Sequence, residues 1–184
     1  MKTINAIAAF LITALFFGLA LSSFSTMGSS KTGTQTVQSI IIFRFGPDGN
    51  VKTTKANIEL NDKSNALEVI RDKCNALYDN DKELQQILYK WGGFHSKIES
   101  QGYGFHFAFF RPMKRSKLML RSMIFFRYFN DTDYTKVNNQ TIVIGPHKGR
   151  VIGFIGYVCF SNRFFGYTVI DGYSVFRIDI KTMI

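Results

Sequence analysis

Residues 102–129 read GYGFHFAFFRPMKRSKLMLRSMIFFRYF, and the interpretation of the whole chain depends on them. The segment holds seven phenylalanines, two tyrosines and six basic residues but no acidic residue. In its first part, aromatic residues fall on every second position: Tyr103, Phe105, Phe107 and Phe109. A period of two is typical of a β-strand, so we expect a strand with His106 on the face opposite the aromatic rings.

The second part of this segment fits either a strand or a helix. A strand aligns on one face Leu118, Leu120, Ile124, Phe126 and Tyr128. A helix instead aligns Leu118, Ser122, Phe125 and Phe129. We favour the strand because aromatic residues are enriched here. Arg111-Pro112 is expected to end the first strand, and MKRSK at 113–117 to form a basic turn.

Three interpretations of this segment follow from its chemistry. Alternate phenylalanines can fill the core of a sheet while the arginines extend to its edge. If the same residues are exposed, they suit an anionic lipid, an acidic envelope polymer or a protein partner. A candidate docking patch for such a partner consists of Phe109, Phe110, Phe125 and Phe126. Interleaved basic and aromatic residues also suit single-stranded nucleic acid, which the export signal below argues against. The candidate anion- or partner-binding residues are Arg111, Lys114, Arg115, Lys117, Arg121 and Arg127.

The amino-terminal segment has the composition of an export signal. Residues 4–21 carry no charge, and Lys2 precedes them, which orients the rest of the chain outward. Residues 1–25 are therefore predicted to be a signal peptide or a signal anchor that binds the membrane if it is not cleaved. Residues 26–36 form a flexible tether rich in small polar residues. Export makes the triplets that begin at Asn130 and Asn139 candidate glycosylation sites.

The remainder of the chain, residues 37–184, is predicted to be one α+β domain. Residues 37–45 and 51–60 alternate around a GPDGN turn and predict a hairpin. Residues 61–89 switch to helical period, with Asp62 or Ser64 as the amino-terminal cap and a break near residues 79–81. The predicted helix carries on its apolar stripe Leu67, Ile70, Cys74 and Leu77.

Most of the remaining residues read as strands of a mainly antiparallel sheet of about five or six strands. The expected strands are residues 103–109, 118–129, 141–144, 150–160, 164–170 and 173–180. Residues 130–139 read as a polar loop. Asp171-Gly172 is the clearest hairpin signal in the chain, because a two-residue turn of this type needs positive φ.

The formal charge of +10 is concentrated in the second half of the chain. Residues 31–99 carry ten basic and nine acidic residues, whereas residues 100–184 carry twelve basic and four acidic residues. Such an excess favours anionic partners without choosing among them.

Few residues suggest catalytic or metal chemistry. Cys74 and Cys159 are the only cysteines, and they read either as a disulfide or as two small buried apolar residues. No metal-binding motif accompanies the histidines, so we expect no metal and no cofactor. A small exported hydrolase that uses His106, His147 or Cys159 is the alternative function. We expect a non-enzymatic binding or structural module, exported or anchored at the cell envelope and able to join a membrane or surface complex.

Overall fold

The computed structural model of the chain describes residues 36–47, 49–60, 65–91, 95–110 and 122–183. In chain order its elements are β1 (Thr36–Phe45), β2 (Val51–Leu60), α1 (Ala66–Asp79), α2 (Lys82–Trp91), β3 (Ser96–Phe110), β4 (Ser122–Tyr128), β5 (Tyr134–Val137), β6 (Gln140–Ile144), β7 (His147–Phe160) and β8 (Phe165–Thr182). Neither described helix is both long and apolar enough to cross a membrane. The predicted signal or anchor (1–25), the tether up to residue 35 and the basic turn (113–117) lie outside the described residues.

Four of the strands close into a ring. The sheet runs in the order β2-β1-β7-β4-β3-β5-β6, and β8 pairs with both β3 and β7. Because β3 pairs with β4, β4 with β7, β7 with β8 and β8 with β3, these strands form a closed four-stranded barrel. The hairpins β1–β2 and β5–β6 extend from it. The predicted α+β class is therefore wrong, since the fold is mainly β and its two helices are an addition to one face.

The predicted hairpin turn at Asp171-Gly172 is also wrong, because both residues lie inside the uninterrupted strand β8. Gly172 faces Gly156 of β7 across the ladder. A Cβ at Gly172 would clash with the carbonyl oxygen of Ile155 and with the ring of Phe154. Gly172 therefore allows β7 and β8 to approach closely and does not form a turn. The uninterrupted β8 is long enough to pair with β7 along most of its length and with β3 by its first half, which closes the ring.

A bulge in β7 decides which of its side chains enter the ring. Gly153 adopts φ of 69°, and the pairing register with β8 shifts between Ile152 and Phe154. Val151 before the bulge and Phe154 after it therefore belong to the same apolar cluster although they are three residues apart. That cluster fills the ring and consists of Phe45, Ile98, Ile124, Phe126, Tyr128, Val151, Phe154, Val158, Phe160 and Ile170.

The helices cover a second apolar cluster on the other face of β1, β7 and β8. The predicted stripe of α1 is confirmed for Leu67, Ile70 and Cys74, which are buried against Cys159 and Val169. The cap of α1 is Asn65, whose side-chain oxygen accepts from the N–H of Leu67 at 3.1 Å. The predicted caps, Asp62 and Ser64, lie outside the described residues.

Several elements match the sequence prediction. The β1–β2 hairpin is confirmed, as is the helix break near residues 79–81. The preference for a strand over a helix is confirmed for Ser122–Tyr128, while residues 118–121 lie outside the described part. The predicted loop at 130–139 is wrong in part, because it contains β5. This strand has only four residues, too few for an alternation to be visible in the sequence.

Candidate functional site

The outward face of β3, β4, β7 and β8 places aromatic and basic side chains in two rows across the sheet. The pairing register aligns the first row as Phe105, Arg127, Lys148 and Lys181. The second row is aligned as Phe107, Phe125, Arg150 and Asp179. Because side chains of directly opposed residues point to the same side, each row is continuous from an aromatic end on β3 to a charged end on β8.

The aromatic end of these rows is exposed. Phe105, Phe107 and Phe109 expose 55%, 46% and 44% of their surface, and Phe125 exposes 38%. The interpretation of the alternate phenylalanines of β3 as sheet core is therefore wrong, because His106 on the opposite face is the buried residue. Neighbouring rings support one another: Phe105 lies 4.8 Å from Phe165 and 5.8 Å from Phe129 between ring centroids.

At the charged end, one carboxylate serves two arginines. Asp179 accepts from Arg150 at 2.7 Å and from Arg177 at 2.6 Å. These two hydrogen bonds lower the pKa of Asp179, in the order Arg150 and then Arg177. Asp179 is thus fully engaged and leaves the first row without an acidic partner.

Three cations stand side by side in the first row. Arg127 is the direct partner of Lys148, and Lys148 is the direct partner of Lys181. Within the described part of the chain, none of the three forms an ion pair. Arg127 donates to the sulfur of Met183 at 3.0 Å and lies 5.4 Å from the ring centroid of Phe129. Like charges in direct opposition destabilise a sheet, so an anion bound at this row would relieve the repulsion.

The two rows border a pocket of about 620 Å³, which we call the basic–aromatic groove. Its lining side chains are Phe105, Phe107, Phe125, Arg127, Lys148, Arg150, Phe164, Arg177, Asp179 and Lys181, with His106, Phe126 and Gly149 at the strands beneath. Ligand sites of small molecules span about 300–1,000 Å³, and this groove falls within that range. Its five cationic residues and single carboxylate favour a negatively charged ligand.

The structure brings one predicted binding residue into the groove. Arg127 is exposed and lines it. The other five lie outside the described residues: Arg111, Lys114, Arg115, Lys117 and Arg121. Sequence reasoning missed Lys148, Arg150, Arg177 and Lys181, which are scattered over two strands far along the chain from residues 102–129. Their alternation on β7 and β8 was the available signal. For Arg177 and Lys181, the false turn at Asp171-Gly172 concealed the pairing of β8 with β7.

The exposure expected for the candidate docking patch is found at two of its four residues. Phe109 and Phe125 are exposed, whereas Phe126 is 3% exposed and belongs to the cluster inside the ring. Phe126 cannot be part of a docking patch because its neighbour Phe125 takes the outward side of the strand. The side chain of Phe110 lies outside the described part.

His106 is a structural residue of the ring. Its Nε2–H donates to the carbonyl oxygen of Asn162 at 2.7 Å, and its Nδ1 accepts from the hydroxyl of Thr168 at 2.7 Å. The imidazole of His106 stacks on the aromatic ring of Phe160, with the two centroids 3.9 Å apart. Burial lowers the pKa of His106 to about 4, against the opposing effect of its backbone hydrogen bonds. At neutral pH the imidazole is therefore uncharged and has both nitrogens occupied.

His147 is occupied in the same way. Its Nδ1–H donates to the carbonyl oxygen of Gly145 at 2.6 Å, and its Nε2 accepts from the hydroxyl of Thr135 at 2.8 Å. Burial lowers its pKa. Cys159 lies in the cluster beneath the helices, apart from both histidines. The geometry of a Cys–His hydrolase is therefore not formed by His106, His147 and Cys159.

The two cysteines meet in the helix-covered cluster as free thiols. Cys74 lies 4.0 Å from the carbonyl oxygen of Val169, and Val169 is the direct partner of Cys159. Burial, followed by hydrogen bonding with Cys159, raises the pKa of the Cys74 thiol. The disulfide between them stays a prediction, as does glycosylation of Asn130 and Asn139, both of which are exposed.

No group of three or more His, Cys, Asp or Glu side chains within the described ranges is placed to hold a metal ion. Comparison of the chain with protein-family models, with curated proteins and with solved structures finds no match.

Proposed function

We propose that this protein is a non-enzymatic binding module of the cell envelope, exported or anchored by residues 1–25, that binds an anionic amphiphile in the basic–aromatic groove. The observation that carries the proposal is the row of Arg127, Lys148 and Lys181 beside exposed phenylalanines. An anionic headgroup neutralises the three cations, and an alkyl chain covers the rings of Phe105 and Phe107.

The charged row supports an anionic headgroup for an energetic reason. Direct opposition of like charges costs a fraction of a kcal/mol to about 1 kcal/mol per pair. Lys148 has a cation on each side, so it carries this cost twice. A phosphate or carboxylate near Lys148 reverses the sign of both interactions and forms charge-assisted hydrogen bonds.

The exposed rings support an apolar part of the ligand. Four of the phenylalanines that line the groove are exposed: Phe105, Phe107, Phe125 and Phe164. Each exposes between 38% and 55% of its surface. Removing such surface from water contributes roughly 25 cal/mol per Å². A ligand with a negative head and an alkyl tail matches both ends of the rows, whereas a bare anion matches only one.

The experiment uses dodecyl phosphate below its aggregation concentration as the probe, titrated into the full chain by calorimetry. We expect binding that weakens at least tenfold in the double variant Lys148→Glu with Lys181→Glu. The matched control is Lys52→Glu with Lys55→Glu, which makes the same charge change at two exposed positions of β2 and leaves the affinity unaltered. Equal loss in both double variants would show a general charge effect and contradict the proposal.

Two further probes separate the neighbouring hypotheses. Inorganic phosphate is expected to bind at least tenfold more weakly than dodecyl phosphate, because it contacts no phenylalanine. A single-stranded oligonucleotide that competes for the groove more strongly than dodecyl phosphate would replace the amphiphile with nucleic acid. The envelope location is tested separately by fractionation, where the intact chain is expected with the membrane or outside the cytoplasm.

A further inference from the structure

A second cavity, of about 160 Å³, lies between α1 and strands β3, β5 and β8. It shares no lining residue with the basic–aromatic groove. Its floor is formed by Glu99 and Gln101 of β3 and by Asp171 of β8, and the rings of Tyr78 and Tyr134 border it. Arg71 and Asn75 of α1 and Lys97 of β3 also line the cavity.

Asp171 is the unexplained group in this cavity. Its residue is 6% exposed, and its Oδ1 is buried without a hydrogen-bond partner among the described residues. Its direct partner on β3 is Glu99, which is also acidic, and its partner on β7 is Tyr157. Tyr157 donates its hydroxyl proton to Asp81 at 2.9 Å and is not available to Asp171. A buried carboxylate without a donor is costly, so such groups are normally paired.

A second acceptor without a hydrogen-bond partner lines the same cavity as Asp171. The Oε1 atom of Gln101 is buried and has no partner within the described part of the chain. Gln101 is two residues from Glu99 on β3, so both side chains point to the same side of the strand. The cavity thus contains two buried acceptor oxygens without a donor, from Gln101 and Asp171, and Glu99 adds a third acceptor side chain to its lining.

The cations near the cavity are already engaged. Lys97 forms an ion pair with Glu99 at 2.6 Å. Arg71 forms ion pairs with Glu68 at 3.2 Å and with Asp72 at 3.4 Å. The carboxylate of Asp171 is therefore left without a cation of its own.

From this geometry we infer that the cavity binds the ammonium group of a small primary amine. A primary ammonium has three N–H donors, the same number as the acceptor side chains Glu99, Gln101 and Asp171. The aromatic rings of Tyr78 and Tyr134 at the border suit a cation or the methylene groups next to it. A cavity of about 160 Å³ has room for a short alkylamine. A quaternary ammonium ion of similar size has no N–H group and cannot donate to these oxygens.

Binding depends on the ionised form of Asp171. Burial raises the pKa of Asp171 to about 6; Lys97 opposes this rise, and Glu99 and Asp79 add to it. The affinity for an amine therefore falls as the pH drops through about 6, because protonation removes the charge that pairs with the ammonium. The ionisable groups that face Asp171 are Arg71, Cys74, Tyr78 and Asp79 of α1, Lys97 and Glu99 of β3, Tyr134 of β5 and Tyr157 of β7.

The test measures the melting temperature of the full chain with putrescine, with tetramethylammonium and with potassium chloride at equal ionic strength. We expect putrescine to raise the melting temperature and the other two salts to leave it unchanged. In Asp171→Asn the amine-dependent rise should disappear, while the unliganded protein melts at a higher temperature because a buried charge has been removed. Asp131→Asn is the matched control, since Asp131 is exposed in the turn between β4 and β5.

A higher melting temperature of unliganded Asp171→Asn shows that this variant is folded, so its loss of the amine effect cannot be ascribed to misfolding. If Asp171→Asn is instead unstable, Gln101→Leu provides the same test. No rise with putrescine in the natural chain would overturn the inference and leave water as the partner of Asp171. An equal rise with potassium would also overturn it, in favour of an inorganic cation.

Discussion

Lys148 and Lys181 are direct partners on β7 and β8, and both ammonium groups point outward on the same side of the sheet. A sheet optimised for stability alone would place an acid at one of these positions. A bound anion would relieve the repulsion between the two lysines, so anion binding accounts for their placement.

Replacing one member of this pair should therefore stabilise the free protein. We expect Lys181→Glu to raise the free energy of unfolding by about 0.2–1 kcal/mol in low salt, and to lower the affinity for dodecyl phosphate. Urea unfolding at two salt concentrations measures the first effect. A loss of stability in Lys181→Glu would show that the lysine contributes to packing instead.

Exposed and buried phenylalanines of the same region should behave oppositely. Phe107→Ala is expected to change the free energy of unfolding by less than about 1 kcal/mol while weakening dodecyl phosphate, because this ring is 46% exposed in the groove. Phe126→Ala should cost about 3–5 kcal/mol, because its ring fills the interior. Equal losses of stability in the two variants would show that the Phe107 side chain is packed in the core and would contradict its place in the groove.

Gly172→Ala tests the continuity of β8. The added methyl group meets the carbonyl oxygen of Ile155, so we expect a loss of about 1–3 kcal/mol or more in the free energy of unfolding. Gly145→Ala is the comparison, because a Cβ there meets nothing within 4 Å, although φ of 97° makes that substitution strained. If Gly172→Ala folds with unchanged stability, the close approach of β7 and β8 is incorrect.

The ion pair between Arg44 and Asp81 joins β1 to the start of α2 and should make stability depend on pH. Burial opposes ionisation of Asp81, but hydrogen bonds from Arg44, Leu84 and Tyr157 lower its pKa to about 2. The contribution is present above the ordinary aspartate pKa, near 4, and is lost as the pH falls towards 2.

With allowance for solvent screening, we expect this contribution to be about 1 kcal/mol. Asp81→Asn should reduce the decrease in the free energy of unfolding that the natural chain shows between pH 4 and 2, and Asp179, whose pKa is also lowered, contributes to what remains. Asp131→Asn, at an exposed turn, should leave that decrease in place. An unchanged acid dependence in Asp81→Asn would assign the effect to other carboxylates.

The cysteines offer a chemical test of the helix-covered cluster. Both thiols are fully buried, and the pKa of Cys74 is raised. We expect neither thiol to react with a thiol reagent in the native protein and both to react after denaturation. A denatured protein that still shows no reactive thiol would indicate the predicted disulfide between Cys74 and Cys159.

Local patterns in the sequence predicted local structure well. The alternation in β1 and β2 and the stripe of α1 arise from contacts with a single neighbouring layer, so they are visible in the chain itself. The Asp171-Gly172 signal failed because the local preference for a turn was overridden by contact with Gly156 and Phe154, which come from another strand. That one turn concealed the closure of the ring, since an uninterrupted β8 pairs with both β3 and β7.

The sequence by itself determined that β3 has an aromatic face and a second face with His106 and Ala108. Only the tertiary structure decided which of the two faces is buried. The interior of the four-stranded barrel already holds the aromatic side chains of Phe126 and Phe160. There, β3 has room only for smaller side chains and for an imidazole that stacks on Phe160. Its phenylalanines consequently face outward, and the alignment of four strands places them beside cations that the linear sequence keeps far apart.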